Sequence, residues 1–357
     1  MKKIAIMTAG GDCPGLNAAI KSVVLTANQK GIEVLGVCDG YKGFVEGEYL
    51  HLNEGNVANI ENMGGTILGS SNKECPFYYL VDKEKEKYED KTDEAIAKLR
   101  KEGVEGLIVI GGDGTLDSAR VIDERGLPTI GIPKTIDNDM QASMPTIGFN
   151  TAVEVVTDAI ARLKTTASSH RRVITVEIMG RSSGFLTLHS GVAASADVIL
   201  LPELDYDLDK VCSKIEEVAK YKRYAIVAIS EAAKEKGKRE TISQFVKDSF
   251  EQVRYGGVAQ KLAKDIEEKT GIEARYVALG HIQRGGNPTA ADILLAVQLG
   301  NYACELLTSG ESGYIVGMQN AGLIKTPYPR QRIPRTLDLS TNPLVKTARA
   351  TGTCFGE

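Results

Sequence analysis

The chain has 357 residues, of which 42% are hydrophobic and 25% are charged, and its formal net charge is −4. This length exceeds the ~250 to 300 residues at which a single hydrophobic core usually stops growing, so we expect two domains. The acidic balance argues against a nucleic acid or an anionic membrane as a partner, although local arginines can still bind a phosphate ligand.

Eight short runs rich in β-branched residues are predicted as strands. In chain order they cover residues 3–10, 33–40, 106–113, 129–135, 173–180, 197–203, 224–231 and 274–281. Most of these runs are almost continuously hydrophobic, which is typical of parallel strands covered on both faces. Helical patterns lie between the strands, for example at 17–28 and 93–102. The alternation of strand and helix predicts an α/β fold with parallel sheets.

Other features of the sequence indicate a cytoplasmic protein. The first run is predicted as a strand, because glycines interrupt it after about five apolar residues, too few for a secretory signal. No apolar run approaches the roughly 20 residues that span a bilayer. The six cysteines form no C-x-x-C pair and are expected to be free thiols, with Cys13 as a packing residue. The charge-rich segments 73–92 and 233–256 are expected to be solvated surface.

Most predicted strands end in glycine followed by a polar residue. Examples are A-G-G-D at 9–12, G-G-D-G-T at 111–115, M-G-R at 179–181 and G-H-I-Q-R-G-G at 280–286. Open parallel sheets bind their ligands outside the carboxyl ends of the strands. These polar residues are therefore expected to converge on one site.

Two glycine loops, at 9–17 and 111–118, favour a phosphate-binding site. Glycine lets backbone N–H groups approach a phosphate, and the N-terminus of the following helix favours negative charge. Neither loop has the P-loop or dinucleotide-binding fingerprint, and tight turns by themselves also require glycine. The G-G-D-G-T loop resembles that of NAD kinases and diacylglycerol kinases, so it indicates nucleotide-phosphate binding more than any one reaction.

The segment G-I-P-K-T-I-D-N-D at 131–139 places Thr135, Asp137 and Asp139 at alternate positions after Lys134. In an extended segment, alternate side chains lie on the same face. One face of a cleft would then carry a hydroxyl and two carboxylates beside a lysine. Such a face suits binding a metal or accepting a proton.

Basic residues form the third element of the predicted site. They are Arg171, Arg172, Arg181, Arg275, His281 and Arg284. Arginines at strand ends are costly to bury unless they meet an anion. An acidic, metal-capable cleft beside two phosphate loops and an arginine pocket suits phosphoryl transfer, and two anion sites indicate a phosphorylated acceptor.

The complete set of motifs resembles the phosphofructokinase family, whose members phosphorylate fructose 6-phosphate at the 1-position. The motifs are G-G-D-C-P-G-L-N, G-G-T-I-L-G-S, G-G-D-G-T, P-K-T-I-D-N-D, M-G-R-S-S-G and G-H-I-Q-R-G-G, in family order from residue 10 to 286. The resemblance implies two doubly wound, Rossmann-like parallel-sheet domains with the site in the cleft between them. The donor domain would comprise 1–148 plus about 283–330, and the fructose 6-phosphate domain 149–282 plus about 331–357.

The resemblance also implies roles for individual residues. Asp137 would take the proton from the sugar 1-hydroxyl, with Thr135 orienting the phosphates and Arg181 steadying the transferred group. Asp113, helped by Asp139, would hold Mg²⁺. The donor site would comprise Gly11, Tyr41, Asn72, Lys73, Gly112, Asp113, Gly114 and Thr115. The substrate site would comprise Thr135, Asp137, Arg172, Met179, Gly180, Arg181, Glu231, Arg275, His281 and Arg284.

A homo-oligomer is also implied. In this family two arginines of the substrate site come from a neighbouring subunit, and Arg172 and Arg275 match them. We expect a tetramer with shared active sites, with a dimer as the alternative. Bacterial allosteric members have arginines where this chain has Lys21, Leu25 and Glu54, so their effector regulation is not expected.

Two further differences bear on the phosphate donor. The family usually has arginine where Asn72 stands, and the adjacent Lys73 could replace it only as a point charge. ATP-dependent members usually have glycine at the position of Gly114, whereas pyrophosphate-dependent members have aspartate there and lysine at the position of Lys134. Aspartate would exclude ATP sterically while lysine only adds charge, so we expect ATP, with pyrophosphate as the alternative.

Two other interpretations stay open. A sugar-phosphate sensor could have lost turnover through Asn72, but a sensor has no need of a base such as Asp137. A different acceptor, such as sedoheptulose 7-phosphate, is also compatible, because a phosphate pocket does not measure the length of the sugar.

Overall fold

The chain folds into two large sheets covered by helices. The computed structural model describes residues 1–239, 241–245 and 253–357. The strands, in chain order, are β1 (Lys3–Thr8), β2 (Glu33–Val37), β3 (Tyr49–Leu52), β4 (Tyr79–Asp82), β5 (Lys87–Glu89), β6 (Leu107–Gly111), β7 (Thr129–Pro133), β8 (Val173–Ile178), β9 (Val198–Leu200), β10 (Ala225–Ser230), β11 (Ile242–Phe245), β12 (Val253–Tyr255), β13 (Ala274–Ala278), β14 (Tyr314–Gln319) and β15 (Gly322–Pro327). The helices are α1 (Leu16–Gln29), α2 (Tyr41–Glu46), α3 (Thr92–Lys101), α4 (Asp113–Glu124), α5 (Phe149–His170), α6 (Phe185–Ala193), α7 (Leu208–Lys222), α8 (Val258–Thr270), α9 (Ala290–Thr308) and α10 (Pro343–Ala350). Short 3₁₀ helices cover Ile60–Asn62 and Gly280–Arg284.

The larger sheet has seven strands in the order β15-β14-β7-β6-β1-β2-β3. Its five central strands are parallel, and β3 and β15 pair antiparallel at the two edges. In the middle, Met7 of β1 pairs with Val37 on one side and with Val109 on the other. Because β1, β6 and β7 are parallel neighbours, the loops that follow them begin at one edge of the sheet.

The smaller sheet has four parallel strands in the order β13-β8-β10-β9. Ile178 at the end of β8 pairs with Ser230 at the end of β10, so the loops that follow these strands start side by side. The carboxyl-terminal chain returns to this sheet, where Cys354 forms a bridge with Val198 of β9.

The predicted strands and fold class are confirmed. The eight predicted runs contain β1, β2, β6, β7, β8, β9, β10 and β13, and the two helical patterns correspond to α1 and α3. The sequence patterns do not predict β3 and β15, because these edge strands are largely exposed and lack a continuous apolar run. The division of the chain into a donor and a substrate domain stays a prediction.

The surface predictions have mixed outcomes. The segment 73–92 includes the partly exposed hairpin β4–β5, where Tyr88 stacks on the preceding Tyr78 with ring centroids 4.1 Å apart. The segment 233–256 lies partly outside the described residues. The six cysteines are free, and Cys13 is buried, so its interpretation as a packing residue is confirmed.

One helix among the described residues, α9, is long and apolar enough to span a membrane by length and composition alone. Half of this helix is buried, and it packs along α1, where Ser22 donates a hydrogen bond to the Val297 carbonyl. Gly300 lets the two helices approach closely, since a Cβ there would lie 2.8 Å from the Ala19 carbonyl. The apolar composition of α9 is therefore explained by its place in the core.

Candidate active site

A cleft of about 270 Å³ lies where the loops after β1, β6, β7 and β8 converge. Most of its walls come from glycine loops and charged side chains, as expected for a phosphate ligand. The lining residues are Gly10, Gly11, Asp12, Asn72, Gly112, Asp113, Gly114, Thr115, Lys134, Thr135, Ile136, Asp137, Asp139, Arg181, Ser182, Arg284, Arg332 and Pro334.

Lys134 connects the two glycine loops. Its backbone N–H donates to the Gly111 carbonyl at 3.0 Å, which extends the pairing of β6 with β7. Its buried ammonium donates a short hydrogen bond to the Gly11 carbonyl in the loop after β1. Part of the lysine's charge is therefore used to hold the loops together.

Tyr41 supports the second glycine loop from below. Its side chain is fully buried, and its hydroxyl donates to the Thr115 carbonyl at 2.6 Å. Burial raises the pKa of this phenol well above its ordinary value, so it stays protonated as a donor. Tyr41 is not among the residues that line the cleft, and it contacts this loop through the backbone of Thr115. Its expected place in the donor site stays a prediction.

Replacing Tyr41 with phenylalanine should lower the free energy of unfolding by about 1 kcal/mol, because the buried hydrogen bond from its hydroxyl to the Thr115 carbonyl is lost. Urea titration of both proteins measures this difference. Tyr221→Phe is the matched control, since Tyr221 is 71% exposed and should tolerate the change. Equal stability of the two variants would contradict the supporting role of Tyr41.

The segment after β7 presents its polar side chains through a turn. Thr135, Asp137 and Asp139 all line the cleft, but the backbone turns at 136–137, and Asn138 has a left-handed φ of 53°. The Asp137 N–H donates to the Thr135 hydroxyl at 3.1 Å, which holds this turn. The extended conformation inferred from alternate spacing is therefore wrong, although the three side chains do meet.

Arg181 and Glu231 flank the buried Asp137. Arg181 has a left-handed φ of 50°, its N–H donates to the Glu231 carboxylate at 3.0 Å, and its Nε lies 3.8 Å from Asp137 Oδ2. Burial, followed by the negative charge of Asp137, raises the pKa of Glu231 to about 7. The Glu231 carboxyl therefore changes its protonation state near neutral pH.

Replacing Glu231 with glutamine should stabilise the ligand-free protein more at pH 8 than at pH 5. Its pKa is raised on folding, so the folded state binds the extra proton between about pH 4.5 and 7, and wild-type stability falls as pH rises through that window. The neutral amide removes this loss, up to about 3 kcal/mol. Urea unfolding at both pH values measures it, with Glu154→Gln on the exposed surface of α5 as control. A difference that does not depend on pH would contradict the raised pKa.

Four aspartates line the cleft, and they include Asp113 and Asp139, the two predicted magnesium ligands. Burial raises the pKa of Asp113, and burial together with the charges of Asp137 and Asp113 raises that of Asp139 to about 7. A divalent cation would relieve this crowding, and oxygen donors suit Mg²⁺. The described part of the chain contains no group of three or more His, Cys, Asp or Glu residues with metal-binding geometry. The residues therefore fit a magnesium held by one or two carboxylates together with substrate phosphates.

The loop 280–286 reaches the cleft from the second sheet. The buried Gln283 accepts a hydrogen bond from the Met179 N–H at 3.2 Å, which connects this loop to the end of β8. Arg284 lies against Gly11, where any side chain would overlap with its guanidinium. Its buried Nε has no hydrogen-bond partner among the described residues, as expected for a group that awaits an anion. His281 lies beside Arg284 in an adjoining pocket that also includes Asn72.

Arg172 and Arg275 do not line this cleft. Arg172 forms an ion pair with Glu273 at 2.8 Å, and Arg275 forms ion pairs with both Glu273 and Glu267. Arg275 belongs to the edge strand β13 and lines a separate shallow pocket. Their expected role in a neighbouring subunit's site stays a prediction.

The remaining predicted residues are distributed as follows. Gly112, Gly114, Thr115 and Asn72 line the cleft, whereas Lys73 is exposed and does not. Gly180 has a φ of 139°, so the turn that carries the arginine after it favours glycine.

Several residues that line the cleft were not predicted from the sequence. Asp12 and Ser182 lie inside the recognised motifs and could have been included with their neighbours. Arg332 and Pro334 lie beyond the last motif, and no local pattern connects them to the site.

The family model described as Phosphofructokinase matches residues 3–307. The chain belongs to the phosphofructokinase family. An ATP-dependent 6-phosphofructokinase 2 of Clostridium perfringens is 45% identical over 100% of this chain and 99% of its own. An ATP-dependent 6-phosphofructokinase 3 of Streptomyces coelicolor is 44% identical over 90% of this chain and 92% of its own.

A solved phosphofructokinase structure from Saccharomyces cerevisiae has the same fold, with a TM-score of 0.78 and 28% identity. The alignment covers 92% of this chain and 45% of that longer one. The phosphofructokinase family therefore includes this chain in both sequence and structure.

Proposed function

We propose that the chain is an ATP-dependent 6-phosphofructokinase, which transfers a phosphoryl group from ATP to the 1-hydroxyl of fructose 6-phosphate in glycolysis. The observation that carries the proposal is the buried Asp137, which shares the cleft with Asp113 and lies 3.8 Å from the guanidinium of Arg181. The ATP-dependent relatives, 44–45% identical over nearly the whole chain, support the same activity.

In this mechanism Asp137 accepts the proton of the sugar 1-hydroxyl as the oxygen attacks the terminal phosphorus of ATP, and the bond from that phosphorus to the bridging oxygen breaks to release ADP. Arg181, beside Asp137, stabilises the charge that spreads over the transferred phosphoryl group. Mg²⁺ held by Asp113 and Asp139 would neutralise the donor phosphates. The Thr135 hydroxyl positions Asp137 by accepting a hydrogen bond from its N–H. The loops at 10–12 and 112–115 bind the phosphate chain of the donor.

For the sugar phosphate, we propose that His281 and Arg284 bind the 6-phosphate, together with Arg172 and Arg275 from a neighbouring subunit. Arg172 and Arg275 lie outside this chain's own cleft, which supports their assignment to the site of a neighbouring subunit. Met179, Gly180 and Glu231 would contact the sugar. The working enzyme is then a homo-oligomer, expected to be a tetramer in the cytoplasm.

The sheet membership supports the two proposed domains. β14 and β15 join the first sheet, which suits a donor domain of 1–148 plus about 283–330. The bridge between Cys354 and Val198 suits a substrate domain of 149–282 plus about 331–357.

Pyrophosphate is the second candidate donor, and the presence of Lys134 in the cleft favours it. Because the Lys134 ammonium already donates a hydrogen bond to the Gly11 carbonyl, only part of its charge is available to a donor phosphate. Gly114 leaves the space at the start of α4 open for a nucleotide. Together these features favour ATP.

A steady-state coupled assay with purified protein, Mg²⁺ and fructose 6-phosphate tests the proposal by comparing ATP with pyrophosphate. Turnover with ATP alone is the expected result. Turnover with pyrophosphate alone would overturn the choice of donor. Tight binding of fructose 6-phosphate without turnover, measured by calorimetry, would favour the sensor, and sedoheptulose 7-phosphate in the same assay tests the acceptor.

A further inference from the structure

The cleft contains a cation from a part of the chain that carries none of the motifs. Arg332 lies on the segment between β15 and α10, and it lines the same cleft as Gly11, Asn72 and Asp113. Its side chain is 38% exposed, so the guanidinium is accessible from the solvent.

Contacts on the following residues hold this segment against the site. The Ile333 carbonyl accepts a hydrogen bond from the Gln141 side chain at 3.2 Å, and the Arg335 N–H donates to the Asp139 carbonyl at 2.6 Å. The Arg335 guanidinium also packs over the ring of Phe185, 4.6 Å from its centroid. Because these contacts follow Arg332 directly in the chain, its position in the cleft is built into the fold.

A carboxylate on α4 orients the Arg332 guanidinium. Asp117, one turn after Asp113, accepts a hydrogen bond from Arg332 at 2.8 Å. Burial raises the pKa of Asp117, but hydrogen bonds from Arg332 and Arg120 outweigh it and lower the pKa. The charge of Arg332 also opposes the rise in the pKa of Asp113, more strongly than that of Arg181 does. Arg332 is therefore a fixed positive charge beside the start of α4.

The other cations of the cleft have contacts or proposed roles of their own, and Arg284, whose buried Nε has no hydrogen-bond partner among the described residues, is proposed to bind the 6-phosphate. Lys134 binds the Gly11 carbonyl, and Arg181 lies beside Asp137 on the side of the proposed acceptor. Asn72, which lines the same cleft, is neutral. A polyphosphate bound over the glycine loops would therefore lack a guanidinium contact on the α4 side unless Arg332 supplies it.

We propose that Arg332 binds the phosphate chain of the nucleoside triphosphate donor, and so supplies the guanidinium that Asn72 cannot. This inference rests on the proposed function. The carboxyl-terminal segment then contributes directly to donor affinity.

Calorimetric binding of Mg-ATP and steady-state kinetics of Arg332→Ala, Arg332→Lys and Arg330→Ala test the inference. Loss of a charge-assisted contact should raise both Kd and KM for ATP by about tenfold in Arg332→Ala. The KM for fructose 6-phosphate should change by less than about twofold. Lysine, which keeps the charge without the planar fork, should give an intermediate Kd. Arg330→Ala, an exposed change on the same segment, should match the wild type.

An unchanged Kd for ATP in Arg332→Ala would overturn the inference, and so would an equal rise in both KM values with a lower Tm, which indicates a structural role. If Arg332→Ala does not fold, an unchanged Kd for ATP in Arg332→Lys would overturn the inference.

The same measurements distinguish this inference from the proposed function. Turnover by the wild type, together with an unchanged Kd for ATP in the variant, contradicts only this inference. Wild-type ATP binding without turnover, combined with a weakened variant, contradicts only the proposed function. No ATP binding to the wild type contradicts both.

Discussion

Replacing Asp137 with asparagine should lower kcat by a factor of about 10³, the usual contribution of a positioned general base. The amide keeps the shape of the side chain but cannot accept the proton of the sugar hydroxyl. The KM values for both substrates should change little, because Asp137 is proposed to act mainly in the transition state. Steady-state kinetics with ATP and fructose 6-phosphate measure the split between kcat and KM.

Asp158→Asn is the matched control for this prediction. Asp158 has the same side chain on the exposed surface of α5, where it pairs with Arg162, and the change should leave kcat unaffected. Comparable thermal unfolding of the two variants would exclude a folding defect. If Asp137→Asn kept more than about a tenth of the wild-type kcat, Asp137 would not be the base.

Replacing Gly114 with aspartate should lower kcat/KM for ATP by at least about 100-fold. The new carboxylate would enter the cleft beside Asp113, where it occupies the space for the nucleotide and repels the phosphates. A like charge next to a bound anion costs several kcal/mol, which corresponds to about 10² to 10³ in affinity. Initial rates over a range of ATP and pyrophosphate concentrations measure the effect on each donor.

The loss of ATP activity in Gly114→Asp should not be caused by unfolding. Gly114 lies in the first turn of α4, where an acidic side chain is favourable next to the positive end of the helix dipole. This gain offsets the repulsion between the new carboxylate and Asp113, so the variant should stay folded. Gly114→Ala adds volume without charge and should lose far less ATP activity. ATP turnover by Gly114→Asp at the wild-type rate would show that this position does not select the donor.

The hydrophobic pattern predicts those parts of the fold that local physics controls. β1 and β6 are continuous apolar runs because both faces of these central strands are covered by helices. The segment 135–139 shows where a local rule fails, since a turn at 136–137 replaces the extended conformation. The three side chains picked out by alternate spacing do line one cleft, but a turn brings them together and not an extended strand.

The inward or outward position of a side chain was the hardest feature to predict. Tyr41 follows a glycine turn, and the sequence does not show that its side chain is buried, with its hydroxyl bound to the Thr115 carbonyl. Lys134 was identified from the sequence as a position that bears on the choice of donor, and the hydrogen bond from its ammonium to the Gly11 carbonyl was not predicted. Both outcomes depend on how neighbouring loops pack, which no single motif encodes.

The sequence by itself determined the α/β class, the order of the central strands along the chain and the loops that carry the chemistry, because each depends on residues close together in the chain. The tertiary structure alone decided that Arg332 joins these loops, and that the pKa values of Glu231 and Asp139 rise to about 7. The physical reason is distance along the chain. Burial and the approach of like charges arise only when segments separated in sequence fold against one another, and those two effects set the electrostatics of this cleft.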